Sequence, residues 1–356
     1  MERKYYNVIG VMSGTSLDGI DFAYVKMTIK PQYKAQIIVA ETQAYPDFWV
    51  GKLQKAVHYS KDELQTLNEA YTQYLGKAIN EFIKKNKISR TQIDAICSHG
   101  HTILHQPDQG YTLQIGNLPE IATITACTVV CDFRVQDVLL GGQGAPLVPI
   151  GDQLLFPTYD YCLNLGGFAN VSMQKGDTRI AYDICAVNTV LNEYAQKLGA
   201  TYDDGGAFAK AGTIHFPLLE KLNGLPFFEK LPPKSLGIEW VHENIFPLIE
   251  SYNLEPIAVL ATFTEHIAQQ LANQFQVGNT VFITGGGAYN TFLIERLKVL
   301  KNIDVVLPDH LLIEYKEAIV FALLGVLKLE GENNCLASVT GASRDHSSGV
   351  IIKDTA

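Results

Sequence analysis

The sequence has little that would serve a disulfide scaffold, a membrane or a nucleic acid. Its 356 residues hold six cysteines, Cys97, Cys127, Cys131, Cys162, Cys185 and Cys335, with no CxxC pair among them. Buried free thiols inside a reducing compartment are therefore a simpler expectation than a disulfide framework or a zinc site. Long apolar runs are also missing. AIVFALLGVL has ten residues and is flanked by Lys316-Glu317 and Lys328, which is short of the ~20 needed to cross a bilayer. The opening MERKYYNVIGVMSG has no apolar core of signal-peptide length, so a cytoplasmic location is expected. Basic charge is scarce, with 28 Lys and Arg against 37 Asp and Glu, a net charge of −9. With no block of either sign, a nucleic-acid surface or an anionic-membrane surface is not expected.

What the sequence does have is glycine, 29 residues of it, in a chain that is 47% hydrophobic and 18% charged. That composition is globular, and the length suits two domains. YYNVIGVMS and IDFAYVKMTI read as strands around the turn GTSLDG, with a third strand at QIIVAETQAY. Ser60 and Glu63 form a capping-box pattern, followed by apolar residues at helical spacing to about Lys85. IDAICSHGH reads as a buried strand with a polar tip. DYCLNLGG and ANVSMQKG form a second hairpin around Gly-Gly, followed by RIAYDI and a helix from about Thr189 to Leu198. Later come a helix from Thr264 to Phe275, the strand TVFIT, the turn GGGAYN, a helix from Thr291 to Leu300, the strand DVVLP and a helix from about Tyr315 to Leu329. Mixed elements with glycine at strand ends indicate an α/β fold. The hairpins at Val8 to Val25 and Tyr161 to Gln174 are either the entrances to two copies of one domain or two instances of a common hairpin.

Strand-end glycine turns serve tight turns or let backbone N–H groups approach an anion. The Walker pattern, the GxGxxG dinucleotide fingerprint and the protein-kinase motif set are all absent. Gly14, Thr15, Ser16, Asp18 and Gly19 instead offer hydroxyls, backbone donors and one carboxylate in six residues. A carboxylate beside phosphate calls for a divalent cation between them; alternatively Asp18 caps its own turn. Gly166, Gly167 and Asn170 repeat the theme, and Gly285, Gly286 and Gly287 follow a β-branched strand. Together these three turns favour a nucleotide site.

In order along the chain, IGVMSGTSLDGID, SHGHTILHQP, TLQIGNLPEIA, VVCDFRVQDVLLGGQGAPLVP, LNLGGFANVS, FITGGGAYN, KEAIVFALLG and ASVTGAS resemble the anhydro-N-acetylmuramic acid kinases over nearly the whole length. The resemblance implies the actin-like, ribonuclease H-like ATPase fold: two duplicated α/β domains around a nucleotide cleft. They are expected at 1–138 and 139–356, with the last ~20 residues returning to the first domain. It implies ATP and Mg²⁺, a homodimer, and a reaction that opens 1,6-anhydro-N-acetylmuramic acid with water and phosphorylates its 6-oxygen. By the same resemblance Asp183 is the general base for water and Glu317 a second carboxylate near it. Arg134 is expected to read the lactyl carboxylate, with Thr102 on the sugar hydroxyls. Asp18 is expected to hold Mg²⁺ through water, and Gly14 to Asp21 (including Leu17, Ile20 and Asp21), Gly166, Gly167, Asn170 and the Gly285 cluster to line ATP.

Each role has a plainer reading: Asp183 as the N-cap of the next helix, Glu317 as a solvated helix residue, and Arg134 as an ion pair with Asp132 or Asp137. The family pattern also breaks in three places. Asp183-Ile-Cys-Ala-Val-Asn188 replaces a Gly-Pro-Gly core, Ile150-Gly151-Asp152 stands where a His is common, and His101 stands where Gln is usual. Two rivals remain. One is a metallohydrolase using His99, His101 and His105, although no acidic residue lies among them. The other is an actin-like protein that binds nucleotide, or handles a different sugar, without this chemistry.

Overall fold

The computed structural model describes residues 5–14 and 16–354, and the expectation for Thr15 falls outside them. Its strands are β1 (Tyr5–Ser13), β2 (Ile20–Thr28), β3 (Lys34–Gln43), β4 (Ala95–Gln106), β5 (Tyr111–Ile115), β6 (Val129–Cys131), β7 (Tyr161–Leu165), β8 (Phe168–Lys175), β9 (Thr178–Ala186), β10 (Thr280–Thr284), β11 (Asp304–Val306) and β12 (Val350–Ile352). They form two sheets in two compact units, one of residues 1–155 and 315–356 and the other of residues 156–314. The first unit runs past 138 because the helix Pro149–Leu155 is bound into it. Asp152 on that helix pairs with Lys316 at 2.6 Å, and Gly151 lies flush against Val320. More of the C-terminal chain belongs to this unit than its last twenty residues, since the helix His310–Glu330 enters it at Tyr315.

In the first unit β1, β2 and β3 form an antiparallel meander, β4 lies parallel to β1, and β6 parallel to β4. The order is β12-β6-β4-β1-β2-β3, with β5 folded back on β4. In the second unit β7, β8 and β9 form the same meander, and β10 and β11 continue it in parallel, giving β11-β10-β7-β8-β9. With β5, the antiparallel flap on β4, set aside as an insertion and the remaining strands numbered within each unit, both sheets contain the order 3-2-1-4-5. Two independent hairpins would not share a five-strand order and the same strand directions, so the two halves are copies of one fold. This is the topology of the actin-like ATPases, and the α/β expectation holds.

Local sequence explains the layers. Ser60 and Glu63 complete the capping box of the helix Lys61–Lys85, which buries Leu64, Leu67, Tyr71, Leu75, Ile79 and Phe82. Phe82 stacks on Phe22 of β2 with ring centroids 5.1 Å apart. The helix Pro256–Ala272 starts eight residues before its expected position, where proline at the first turn costs no hydrogen bond, and buries Leu260, Phe263, Ile267 and Leu271 in the second core. The apolar AIVFALLGVL segment lies inside the helix His310–Glu330 and is almost entirely buried. No helix among the described residues is long and apolar enough to cross a membrane. Two glycines set its depth in the first unit. A Cβ on Gly10 of β1 would sit 1.9 Å from the Ala318 carbonyl oxygen, and one on Gly325 would sit 2.2 Å from the Cys97 sulfur. All six cysteines are buried and free.

Candidate active site

Ligands of open α/β sheets bind beyond the carboxyl ends of the parallel strands, where the strand order reverses. In the first unit those ends carry Ser13 (β1), the histidine-rich part of β4 and the Asp132-Phe133-Arg134 run after β6. The β1–β2 turn is closed by a hydrogen bond from Leu17 N–H to the Gly14 carbonyl (3.3 Å), with Leu17 in the left-handed region at φ 62°. A Cβ on Gly19 would meet the Gln43 carbonyl oxygen at 2.5 Å, so the turn lies flat on the end of β3. Ser16 and Asp18 are exposed on it, whereas the side chain of Ile20 is wholly buried in the core. Only the backbone of Ile20 is left for a ligand. Asp21 is half-buried and accepts a hydrogen bond from Thr42 Oγ1 at 2.6 Å.

Beneath this turn lies a polar knot that sequence reasoning missed. Ser13 Oγ bonds Tyr45 Oη (2.5 Å) and His101 Nδ1 (2.7 Å), and Tyr45 in turn bonds Tyr71. Its members come from β1, β4 and the chain 32 and 58 residues beyond Ser13, which no local spacing reveals. Burial lowers the His101 pKa to about 4, so His101 is neutral here. The unfolded chain protonates its histidines near pH ~6.5. Acidification from there toward pH 4 therefore favours the unfolded state, because it binds the proton that folded His101 refuses. His101→Gln should lose less thermal stability than the parent between pH ~7 and ~5. Equal losses in the two proteins would show that His101 does not set this dependence.

Arg134 follows β6 and is fixed by two hydrogen bonds, Nε to His99 Nε2 (2.8 Å) and Nη1 to the Gly144 carbonyl (2.6 Å). Since Nε2 accepts, the His99 proton is on Nδ1, which donates to the Gly100 carbonyl at 3.0 Å. Burial, reinforced by the Arg134 charge, holds the His99 pKa well below its ordinary value. No ion pair joins Arg134 to Asp132 or Asp137. Asp137 instead accepts from Gly144 N–H and Thr340 Oγ1, both at 2.7 Å. Burial disfavours the guanidinium charge, while Glu317, Cys335 and Asp137 support it. Thr102 of β4 pairs in register with Gln114 of β5, whose amide donates to its hydroxyl at 3.4 Å.

The three β4 histidines do not converge on a metal. His99 is spent on Arg134 and Gly100, His101 on Ser13, and His105 Nδ1 lies 3.0 Å from Thr112 Oγ1. The metallohydrolase alternative thus loses its ligand set.

Glu317 sits on the helix that Gly10 seats against β1. It is solvent-accessible, yet crowding raises its pKa through desolvation, opposed by Arg134 and Lys316 and assisted by Asp21. Glu317 is thus an exposed helix residue, as its plainer reading has it, but one set beside charged Arg134 and Lys316. The neighbouring Lys316 is held in a buried ion pair with Asp152, so the Asp152 departure from the family pattern anchors the helix turn that carries Glu317.

In the second unit Asp183 lies within β9, which runs on to Ala186; the helix Asn188–Gln196 is preceded by Val187, with no side-chain cap. Asp183 is therefore not a helix N-cap and does not end its strand. The sheet register pairs Asn170 with Asp183 and Ala169 with Cys185, leaving Ile184 as a bulge. The altered segment after Asp183 is thus accommodated as extended strand. Burial raises the Asp183 pKa, and the Leu236 N–H, donating to Oδ2 at 2.8 Å, works against the rise. Cys185 is fully buried, and desolvation pushes its thiol pKa up, so it is no nucleophile.

The remaining glycines gather at the carboxyl ends of β7 and β10. The Gly167 carbonyl accepts from Val187 N–H (2.8 Å), Thr189 N–H (3.3 Å) and Thr189 Oγ1 (3.0 Å), and the Gly166 carbonyl from Asn188 N–H (3.2 Å). Gly285, at φ 83°, would place a Cβ 2.6 Å from Asn164 Oδ1, and Gly287 one 2.7 Å from Leu165 Cβ. The Gly285–Gly287 turn therefore lies against the end of β7 just ahead of Gly166, and exposed Gly286 faces Asn188 across 3.9 Å from its would-be Cβ. The result is a bare backbone surface beside Asn170 and Asp183.

Residues 6–354 match the family model described as anhydro-N-acetylmuramic acid kinase. The chain belongs to the anhydro-N-acetylmuramic acid kinase family. Curated relatives carry that name. One from Mannheimia succiniciproducens is 33% identical over 99% of this chain and 99% of its own length, and one from Shewanella sediminis is 35% identical over 97% of each. Among solved structures, the component A of (R)-2-hydroxyglutaryl-CoA dehydratase from Acidaminococcus fermentans is similar over 92% of this chain and 100% of its own. Its TM-score is 0.48 at 13% identity, and at that level it says nothing further about this member of the family.

Proposed function

We propose that this chain transfers the γ-phosphoryl group of ATP to the 6-oxygen of 1,6-anhydro-N-acetylmuramic acid while water opens the anhydro bridge. Membership of the kinase family over residues 6–354 carries the reading. In the proposed reaction, water bonds to C1 and the C1–O6 bond breaks. O6 then bonds to the γ-phosphorus as the bond to the β,γ-bridging oxygen breaks. The products are N-acetylmuramic acid 6-phosphate and ADP.

The second unit supplies Asp183 as the base that takes the water's proton. It stands on a strand rather than a loop, one N–H bond fixes its carboxylate, and a raised pKa makes it a better proton acceptor once ionised. The Gly166-Gly167 and Gly285–Gly287 turns suit a nucleotide because no side chain stands between it and the backbone. The first unit supplies Arg134 for the lactyl carboxylate, with Nε and Nη1 fixed by the protein and no protein acceptor bonded to Nη2 among the described residues. Glu317 assists at the water, and Thr102 meets a sugar hydroxyl. Exposed Asp18 and Ser16 are hard oxygen donors, which fits Mg²⁺, an ion that keeps several waters. When bound, Mg²⁺ neutralises charge on the β- and γ-phosphates.

The experiment is ADP release with three additions: no sugar, 1,6-anhydro-N-acetylmuramic acid, and its analogue without the lactyl group. Strong stimulation by the first sugar and weak stimulation by the second is expected. No stimulation by the lactyl sugar overturns the assignment in favour of a nucleotide-binding protein or another sugar's kinase.

A further inference from the structure

A second, unrelated site lies in the first unit, where Asp137, Cys335 and His346 come together. All three are buried, at 0%, 2% and 4% exposure, and one ligand atom from each lies within 4.8 Å of the others. His346 Nδ1 is 3.1 Å from the Arg344 carbonyl oxygen. A carbonyl only accepts, so Nδ1 carries a proton and a neutral ring turns the Nε2 lone pair inward.

Nε2 has no hydrogen-bond partner and lies 3.5 Å from Asp137 Oδ1. An imidazolium bonded to a carboxylate would close to ~2.7–2.9 Å. Two ligands of one tetrahedral zinc, with bonds of ~2.0–2.2 Å, stand about 3.4 Å apart. Asp137 already accepts from Thr340 Oγ1 and Gly144 N–H, so the buried atom left without a partner is His346 Nε2; a cation between it, the carboxylate and the sulfur would supply one, and this mixed donor set is that of zinc.

We infer that Asp137, Cys335 and His346 form a structural site for a zinc-class divalent metal ion. The outer contacts are those such sites use. The Arg344 carbonyl orients the imidazole, and Thr340 Oγ1 donates to Asp137 Oδ1 at 2.7 Å. Cys335 and His346 are pinned to each other by an antiparallel bridge with backbone bonds of 3.1 and 3.3 Å. Binding forms the metal–sulfur bond and releases the thiol proton to solvent; no oxidation is involved. The metal ties the segment around 335–346 to the 137–144 loop, whose Gly144 carbonyl receives Arg134.

The full chain, stripped with a chelator and dialysed, is titrated with Zn²⁺ against a chromophoric competitor, in parallel with Cys335→Ala and His346→Gln. One zinc per chain is expected for the parent, weakened at least ~10-fold in each variant. Should the variants fail to fold, Co²⁺ on the parent decides: a thiolate-to-cobalt charge-transfer band is expected, since only a cysteine ligand produces one. No stoichiometric zinc in the parent, equal affinity in folded variants, or cobalt bound without that band would overturn the site. The cluster would then be a plain imidazolium–carboxylate pair.

Discussion

Asp183→Asn is expected to lower kcat for sugar-dependent ADP release by at least ~10²-fold while leaving nucleotide affinity within a few-fold of the parent. The carboxylate is proposed to remove a proton from water as the C1–O6 bond opens, and general-base groups typically contribute ~10²–10⁴-fold. Asparagine keeps the shape and still accepts the Leu236 N–H that fixes Oδ2, so strand β9 should remain as it is. What is lost is basicity alone. The sign of the pH effect follows from the same group. Its pKa is raised by burial, and the active form is ionised, so kcat/KM should fall on the acid side beginning above the ordinary Asp value of ~3.9. That limb should be absent from the residual activity of Asp183→Asn. Stopped assays across pH, paired with nucleotide binding by calorimetry, check both statements. Near-parental turnover would move the base role to Glu317 or another group.

Arg134→Ala should act on KM. The guanidinium is held by His99 and Gly144 before any substrate arrives, and that preorganisation lets a charge-assisted bond to carboxylate contribute most of its strength. Such a bond is worth ~1.5–3 kcal/mol, or roughly a 10–150-fold rise in KM for the lactyl sugar. Lysine should recover little, because a point charge cannot reproduce the fork that spans His99 and Gly144. The analogue lacking the lactyl group should be nearly indifferent to the change. An unchanged KM for the lactyl sugar would leave Arg134 with only its structural bonds. Melting curves for both variants separate this from general destabilisation, since truncation also strips partners from His99 Nε2 and the Gly144 carbonyl.

Much of the fold was readable in the chain because its signals are local. The Ser60–Glu63 capping box marked a helix start to the residue, and short largely apolar runs ending in glycine marked β1, β7 and β10. The duplication was only hinted at, since two hairpins do not define a sheet order; the shared 3-2-1-4-5 order does. The limits of the first unit were hidden because tertiary contacts set them. The buried Asp152–Lys316 pair and the flush seats of Gly10 and Gly325 draw the helices Pro149–Leu155 and His310–Glu330 into it.

The candidate site divides in the same way. Glycine turns and the Asp-Phe-Arg run were visible as motifs. The Ser13–Tyr45–Tyr71–His101 knot and the His99–Arg134 bond join residues 26 to 88 positions apart, and no spacing rule reaches that far. The placement of Asp183 inside β9 also went unseen, because Ile184-Cys185-Ala186 reads equally as strand or as the entry to a helix. Its ladder pairing with β8, with the bulge at Ile184, settles it as strand.

The acidic net charge now has a local counterpart. In the proposed reaction Arg134, backbone N–H groups at glycine turns and a divalent ion would attract the anionic sugar and ATP against the charge of −9 on the chain as a whole.

Mass analysis of the product formed from ATP and 1,6-anhydro-N-acetylmuramic acid tests the central claim most directly. The account predicts one new sugar species, heavier than the substrate by one phosphoryl group and one water, appearing in step with ADP. A species heavier by the phosphoryl group alone, or unchanged sugar accompanied by free inorganic phosphate, would contradict it.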